Sequence, residues 1–297
     1  MSAQLSICVY GSFARGTCDD LSDRDVLIIG DSAEACETTA RLWREGGWNV
    51  ALFSTDRFES MARFGSLFVQ HLKCEGLVVA DNGFLRSTLD AFLPAASYRE
   101  QLHHALEPIE WLDGKDDSYW RRLCLADILF VAIRNAAVTW QAMSGRPMFD
   151  FRSLINNLAD ECQLLPNEHQ ALLNLRMLKC AYRNRECSAE VASSWSDISV
   201  AARRLRDYMN SAQLLHVVDN NSVSDFRPNA YYALRQFELD LLRVHDPRVL
   251  DAAGPSDIYF DVWQLIRNPT AYDKLEQFGR GLPIGSRQHF RSMPIDS

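Results

Sequence analysis

The sequence predicts an α+β protein, a small mixed sheet with helices followed by a helical bundle, and three observations carry that prediction. As far as Ala80, short β-branched runs alternate with amphipathic stretches and glycine turns. From about Tyr98, apolar residues recur three and four apart over long segments, the helical period. At 297 residues the chain is large for one core and comfortable for two. The expected division is a first domain over residues 1–92, a helical bundle over 96–210 and a C-terminal helical extension over 211–297.

Leu5 to Tyr10 reads as a strand, and Asp25 to Ile29 as a second, too short and β-branched for a helix. Asp31-Ser32 caps a helix over 33–45 that Gly46-Gly47 ends, and Trp48 to Phe53 forms a third strand beside the second. A helix opens at Thr55-Asp56 and runs to Phe64. Residues 67–75 form a half-buried helix in which His71 packs, and a last short strand, Leu77–Ala80, closes at Asp81-Asn82-Gly83. Helices follow over 100–111, 118–143, 151–161, 167–185 and 189–209, with short loops suited to an up-and-down bundle. Past residue 211 the pattern weakens to helices near 229–244 and 256–277 and a loop-like tail from Gly279. Tyr231, Tyr232, Tyr259 and Trp263 read as helical core rather than cleft lining.

Composition is that of an ordinary globular protein, 47% hydrophobic and 24% charged. No apolar run reads as long enough to cross a bilayer, so a cytoplasmic protein with no membrane partner is the default expectation. The eight cysteines are scattered singly, without a Cys-x-x-Cys pair, which argues for reduced thiols and against structural zinc. A formal net charge of −8 argues against nucleic acid wrapping the whole surface. The basic cluster from Arg176 to Arg206 could still face RNA or form a solvated helix surface. Self-association is compatible with this composition.

The chemistry is concentrated between Val9 and Ile29. Asp23 and Asp25 stand one residue apart at the opening of the second strand, where residues two apart project from one face, roughly 7 Å apart. Paired carboxylates suit a hard cation such as Mg²⁺, whose shell is completed by substrate phosphates. Gly11-Ser12, at the end of the first strand, lets backbone N–H groups and the Ser12 hydroxyl approach a phosphate, and a helix opening there would add favourable field. Arg15 either contacts phosphate or braces the turn. The bland alternative is a β-hairpin with two solvent-facing aspartates.

Gly11-Ser12, ten residues and Asp23-Arg24-Asp25 resemble the signature of DNA polymerase β superfamily nucleotidyltransferases, Gly-Ser-x10-Asp-x-Asp. The forms Gly-Ser-Phe-Ala-Arg-Gly and Ser-Asp-x-Asp are similar to the minimal nucleotidyltransferase branch, which includes antibiotic adenylyltransferases and toxin or antitoxin enzymes. The resemblance covers about the first 90 residues and implies a polymerase β-like domain. It implies catalytic and metal roles for Asp23 and Asp25, nucleotide binding by Gly11, Ser12 and Arg15, and Mg²⁺ or Mn²⁺ with ATP or another NTP as donor. The implied reaction transfers NMP, foremost AMP from ATP, to a hydroxyl of RNA, protein or a small molecule, in some relatives as a toxin or defence function.

One departure from the family is visible in the residues themselves. The strand at 48–53 has no acid where the family keeps a third carboxylate, offering Asn49 and Ala51 instead. Three readings follow: Asp56 or Glu59 substitutes, a two-aspartate site works without an internal base, or the domain only binds nucleotide as a regulatory module. The helical half resembles the bundles that accompany such domains, including the HEPN-like type. The HEPN ribonuclease histidine is missing, however, because Arg134-Asn135 is followed by Ala136 to Trp140 without one. Arg134, inside the apolar run 125–140, needs a phosphate or carboxylate partner.

Overall fold

The computed structural model describes residues 5–113, 119–184 and 190–215 and, beyond them, Tyr232, Arg235, Gln236, Leu239 and Leu242. The helices expected near 229–244 and 256–277, the tail from Gly279, and Tyr231, Tyr259 and Trp263 therefore lie largely or wholly outside the described residues, as does most of the extension over 211–297.

The first domain runs β1 (Ser6–Tyr10), α1 (Ser12–Arg15), β2 (Asp25–Ile29), α2 (Ala33–Glu45), β3 (Asn49–Phe53), α3 (Thr55–Arg63), α4 (Leu67–Glu75), β4 (Leu77–Ala80) and α5 (Phe84–Ala91). Its sheet is mixed, in the order β3-β2-β1-β4, with β1 antiparallel to both neighbours and β2 parallel to β3. The period of two along β2 sorts its side chains. Leu27 and Ile29 join Phe58, Val69, Leu72 and Leu85 in one core, and Ile28 joins Cys36 and Ala40 of α2 on the opposite face. Asp25 shares the Leu27–Ile29 face, at the strand's opening end.

Helix α5 was not foreseen, because Asp81-Asn82-Gly83 reads as a terminator. These residues instead start the helix: Asp81 accepts from the amides of Leu85 and Arg86, and Asn82 from that of Phe84.

The helical half comprises α6 (Arg99–Leu106), a 3-10 turn over Glu107–Asp113, α7 (Tyr119–Met143), α8 (Phe151–Glu161), α9 (Pro166–Asn184) and α10 (Glu190–Leu215). Pro108 has no N–H to give to the carbonyl four residues back, so α-helical hydrogen bonding stops there and the chain continues as the 3-10 turn, with Glu107 still in the α conformation. Helix α7 is the centre of the bundle, packed against α6, α8, α9 and α10. The expectation about apolar runs needs correcting here. Helix α7 is long and apolar enough to cross a membrane by length and composition, with mean hydropathy 1.6 in its most apolar window, of which 78% is buried inside the protein. A helix surrounded by others is apolar on all sides for that reason alone.

Gly65 docks the segment that leads into the bundle. Its φ of 68° is left-handed, and a Cβ there would lie 2.1 Å from the Ala95 nitrogen, so only glycine fits. The Tyr98 hydroxyl donates to the Gly65 carbonyl at 2.7 Å and pins the entry to α6.

Candidate functional site

The site begins where β1 ends. Gly11, buried, turns the chain with φ 77° and ψ −153°, a conformation that glycine adopts without steric cost. A Cβ built on it would stand 3.2 Å from Asp25 Oδ2, so the bend and the acid face each other closely. Ser12 is half-buried and opens α1. That helix has only four residues, too few to supply the field expected of a helix N-terminus.

Asp25 and Asp23 do not leave the chain as the sequence suggested. Strand β2 starts at Asp25, pairing it with Tyr10 on one side and Asn49 on the other, while Asp23 lies in the preceding loop. The half-buried Asp25 carboxyl is pushed above its ordinary pKa by burial first and by the nearby Asp23 charge second, against a hydrogen bond from Asn49 and the fields of Arg134 and Lys179. Asp23 is exposed and holds the Lys179 ammonium at 3.3 Å. Arg24, between them, turns away and lies 6.0 Å from the centre of the Phe13 ring.

Asp25, disfavoured as an anion by burial and by the Asp23 charge, forms with Asp23 a donor set that a divalent cation would relieve, and a lysine ammonium already answers Asp23. Mg²⁺ commonly binds through one or two carboxylates plus phosphate oxygens, so these residues fit that ion together with a phosphate-bearing ligand.

On β3, the strand where the resemblance led to the expectation of a third acid, Asn49 donates from Nδ2 to Asp25 Oδ1 at 3.4 Å. Among the described residues no group of three His, Cys, Asp or Glu forms a metal-holding cluster, so neither Asp56 nor Glu59, exposed on α3, completes such a set with the two aspartates.

Arg15 is engaged as a brace, one of the two roles the sequence left open. Its Nη1 contacts Glu75 Oε2, and its Nη2 lies 3.6 Å from Asp150, the N-cap of α8. Glu75 also meets His71 Nε2 at 3.0 Å, and the His71 ring stacks on Phe149 with centroids 4.4 Å apart. Burial pushes the Glu75 carboxyl up, but hydrogen bonds from His71 and Arg15 bring it below its ordinary value. The expectation that His71 packs rather than touching ligand agrees with this burial.

The described residues of the basic cluster on α9 and α10 are engaged by partners within the chain, some of them at the surface. Arg176 makes a two-pronged contact to Asp19 at 2.7 and 2.8 Å and reaches Ser22, while Lys179 reaches Asp23 and lies over the Phe130 ring at 4.9 Å. Arg183 pairs with Asp127, Arg203 with the Leu112 carbonyl, Arg204 with Glu168 and Arg206 with Asp207. Among the described residues, the charge that the sequence offered as a surface for RNA is paired within the chain, and Arg176 and Lys179 clasp the loop that carries Asp19, Ser22 and Asp23. Lys179 thus joins the candidate site although the sequence did not assign it, and Asn49, which the sequence offered from the third strand, does reach Asp25. The signal for Lys179 was present only as an undifferentiated run of basic residues.

With this geometry in place, comparison with known proteins is informative at one end of the chain. The nucleotidyltransferase domain family matches residues 2–56, which span β1 through β3 and both aspartates. The N-terminal module is thus a polymerase β-like nucleotidyltransferase domain, and a helical region follows it. Among curated proteins none matches. One similar solved structure, a toxin–antitoxin crystallised with AMP-PNP, is 18% identical and aligns over 38% of this chain and 89% of its own, with a TM-score of 0.22.

Proposed function

We propose that this nucleotidyltransferase domain is catalytic and transfers a nucleoside monophosphate, foremost AMP from ATP, to a hydroxyl acceptor in a Mg²⁺-dependent reaction. The observation that carries the reading is the approach of the Asp25 carboxylate to the Gly11 bend, which sets a metal-binding group opposite a phosphate seat. The acceptor hydroxyl oxygen attacks the α-phosphorus and gives up its proton to water, the bond from that phosphorus to the bridging oxygen breaks, and pyrophosphate leaves. Bound Mg²⁺ supplies charge neutralisation at the phosphoryl oxygens.

The chain's own residues do the rest. Asp23 and Asp25 hold the cation, Gly11 leaves room for a phosphate against the backbone, and the Ser12 hydroxyl donates to a phosphate oxygen. Arg15, Glu75 and Asp150 brace the bend against the bundle, so that its aim does not drift. Phosphoryl-type transfer depends chiefly on positioning and charge, so the lack of a third acid lowers the rate without removing the chemistry. The acceptor is a hydroxyl of RNA, protein or a small molecule, and Arg176 and Lys179 on the bundle wall, already engaged by Asp19 and Asp23, do not choose among them.

A second reading, a nucleotide-binding regulatory module without turnover, is favoured by Asn49 in the place of the third acid. Incubation with labelled ATP and Mg²⁺ separates the two. Pyrophosphate release that vanishes in the Asp23→Ala/Asp25→Ala double variant supports the enzyme, whereas tight ATP binding without release supports the module.

A further inference from the structure

We propose that Arg134, projecting from the bundle, is the anion-binding residue that receives the donor's triphosphate, so that the nucleotide site is completed by both domains. This rests on the nucleotidyltransferase reading above and adds to it the residue and the domain that recognise the phosphate chain.

Arg134 sits in the middle of α7, in a run that is otherwise apolar from Leu125 to Trp140 except for Asp127, Asn135 and Thr139. Its side chain is half-buried, and among the described residues it makes no hydrogen bond or ion pair. Burial accordingly pushes its pKa down, with Asp25 as the leading opposing charge and Arg15 as a repelling one. A guanidinium so placed is costly to the folded state unless an anion comes to it.

The direction in which it faces is fixed by its neighbour one turn away. Phe130 lies on the same face of α7, and its ring carries Lys179, whose ammonium reaches Asp23. The other cations around the aspartates already have partners: Arg15 with Glu75 and Asp150, Arg176 with Asp19, Lys179 with Asp23. Among the described residues Arg24 is exposed and turned toward Phe13, whereas Arg134 is half-buried without an ion-pair partner, and the field of Asp25 is its chief compensation.

That compensation disappears when the site loads. A divalent ion on Asp23 and Asp25 offsets the carboxylate charge that Arg134 feels, and the guanidinium then requires a new anion. A triphosphate arriving with the metal supplies one, and the planar fork of arginine matches phosphate oxygens in two-pronged fashion. Metal and triphosphate therefore bind cooperatively through this residue.

The test uses the full chain with Arg134→Met and Arg134→Lys, and reads thermal melting and ligand affinity for ATP, AMP and inorganic tripolyphosphate, each with Mn²⁺. Wild type binds ATP more tightly than AMP and also binds tripolyphosphate. Arg134→Met weakens ATP and tripolyphosphate by roughly tenfold to a hundredfold, the range of a lost charged hydrogen bond, while AMP binding and the ligand-free melting temperature hold or the latter rises. Arg134→Lys retains charge without the fork and falls between. Unchanged ATP-to-AMP preference in Arg134→Met overturns the proposal, as does a lowered ligand-free melting temperature with that preference intact. If Arg134→Met does not fold, an unchanged preference in Arg134→Lys overturns it and a reduced one supports it. Wild type binding none of the three ligands overturns the nucleotidyltransferase reading itself and this proposal with it, a result distinct from the loss of preference alone.

Discussion

Two carboxylates in this molecule face arginines of the bundle, and their surroundings differ in an instructive way. Asp127 on α7 has its side chain 2% exposed, accepts from Arg235 at 2.7 Å and from Arg183 at 3.0 Å, and the Arg235 guanidinium lies over the Tyr182 ring. Asp25 on β2 has one weak hydrogen bond from an amide at 3.4 Å, a like charge nearby and an arginine, Arg134, that does not reach it. The first is a closed ion network that joins Arg235 to α7 and α9. The second is held open, and an open arrangement of charges is stable only because the rest of the fold enforces it. Closed charges mark structure here, and the open ones are where the proposed function puts a ligand.

The largest effect expected from that contrast is on stability at the closed network. Asp127→Ala leaves Arg235 buried without its carboxylate and is expected to cost about 3–5 kcal/mol, read by chemical denaturation. An Asp127→Leu/Arg235→Met pair, which removes both charges, should recover most of that loss. A loss below about 1 kcal/mol, the range of an exposed pair, would erase the distinction between the two carboxylates.

At the open site the same kind of change works in the opposite sense. Asp25→Asn is expected to lower pyrophosphate release by about a thousandfold or more, on the order of 4 kcal/mol of transition-state stabilisation. Its folded state should nevertheless melt at the same or a higher temperature near neutral pH. Folded Asp25 takes up its proton more readily than unfolded Asp25, so between the two pKa values the folded chain binds more protons. Stability therefore falls as pH rises through that window and stays lowered above it, and a neutral amide removes the penalty.

Much of this arrangement was legible in the residues. Strand and helix periods located β2, α2, β4 and α8 nearly to the residue, because caps and glycines bound them locally. The Gly-Ser and Asp-x-Asp spacing singled out one bend and two acids, since that chemistry is confined to a short stretch of chain. What escaped was tertiary. Lys179 meets Asp23 across 156 positions and Arg183 meets Asp127 across 56, separations over which periodicity carries no information. Arg235 and Asp127 were invisible as a pair for the same reason. Arg134 fell between these cases, since its conflict with an apolar helix was readable and the groups it faces were not.

A smaller effect sharpens the contrast on the metal side. Lys179→Met removes the ammonium that competes for Asp23, and Mn²⁺ titrated without nucleotide should bind about twofold to fivefold more tightly, the modest range of an exposed ion pair. Weaker Mn²⁺ binding in that variant would mean that Lys179 positions Asp23 rather than substituting for a cation, and the aspartate loop would then belong with the closed network.

The smallest effect concerns Asn49, and it tests whether Asp25 is held open by design of its neighbours or only by burial. The Asn49 amide donates to ionised Asp25, which favours the charged form and works against burial and the Asp23 charge. Asn49→Ala removes that donor, so the Asp25 pKa moves further up. Metal binding requires the carboxylate, and the pH below which Mn²⁺ affinity declines should therefore rise in Asn49→Ala relative to wild type, with affinity at high pH nearly unchanged. At 3.4 Å the bond is at the weak end of the range, so the displacement is small, and it is visible only as a lateral shift of the whole pH curve. A uniform loss of affinity at every pH would instead mean that Asn49 fixes where the carboxylate points, making it a positioning residue for the metal rather than a modulator of the charge on Asp25.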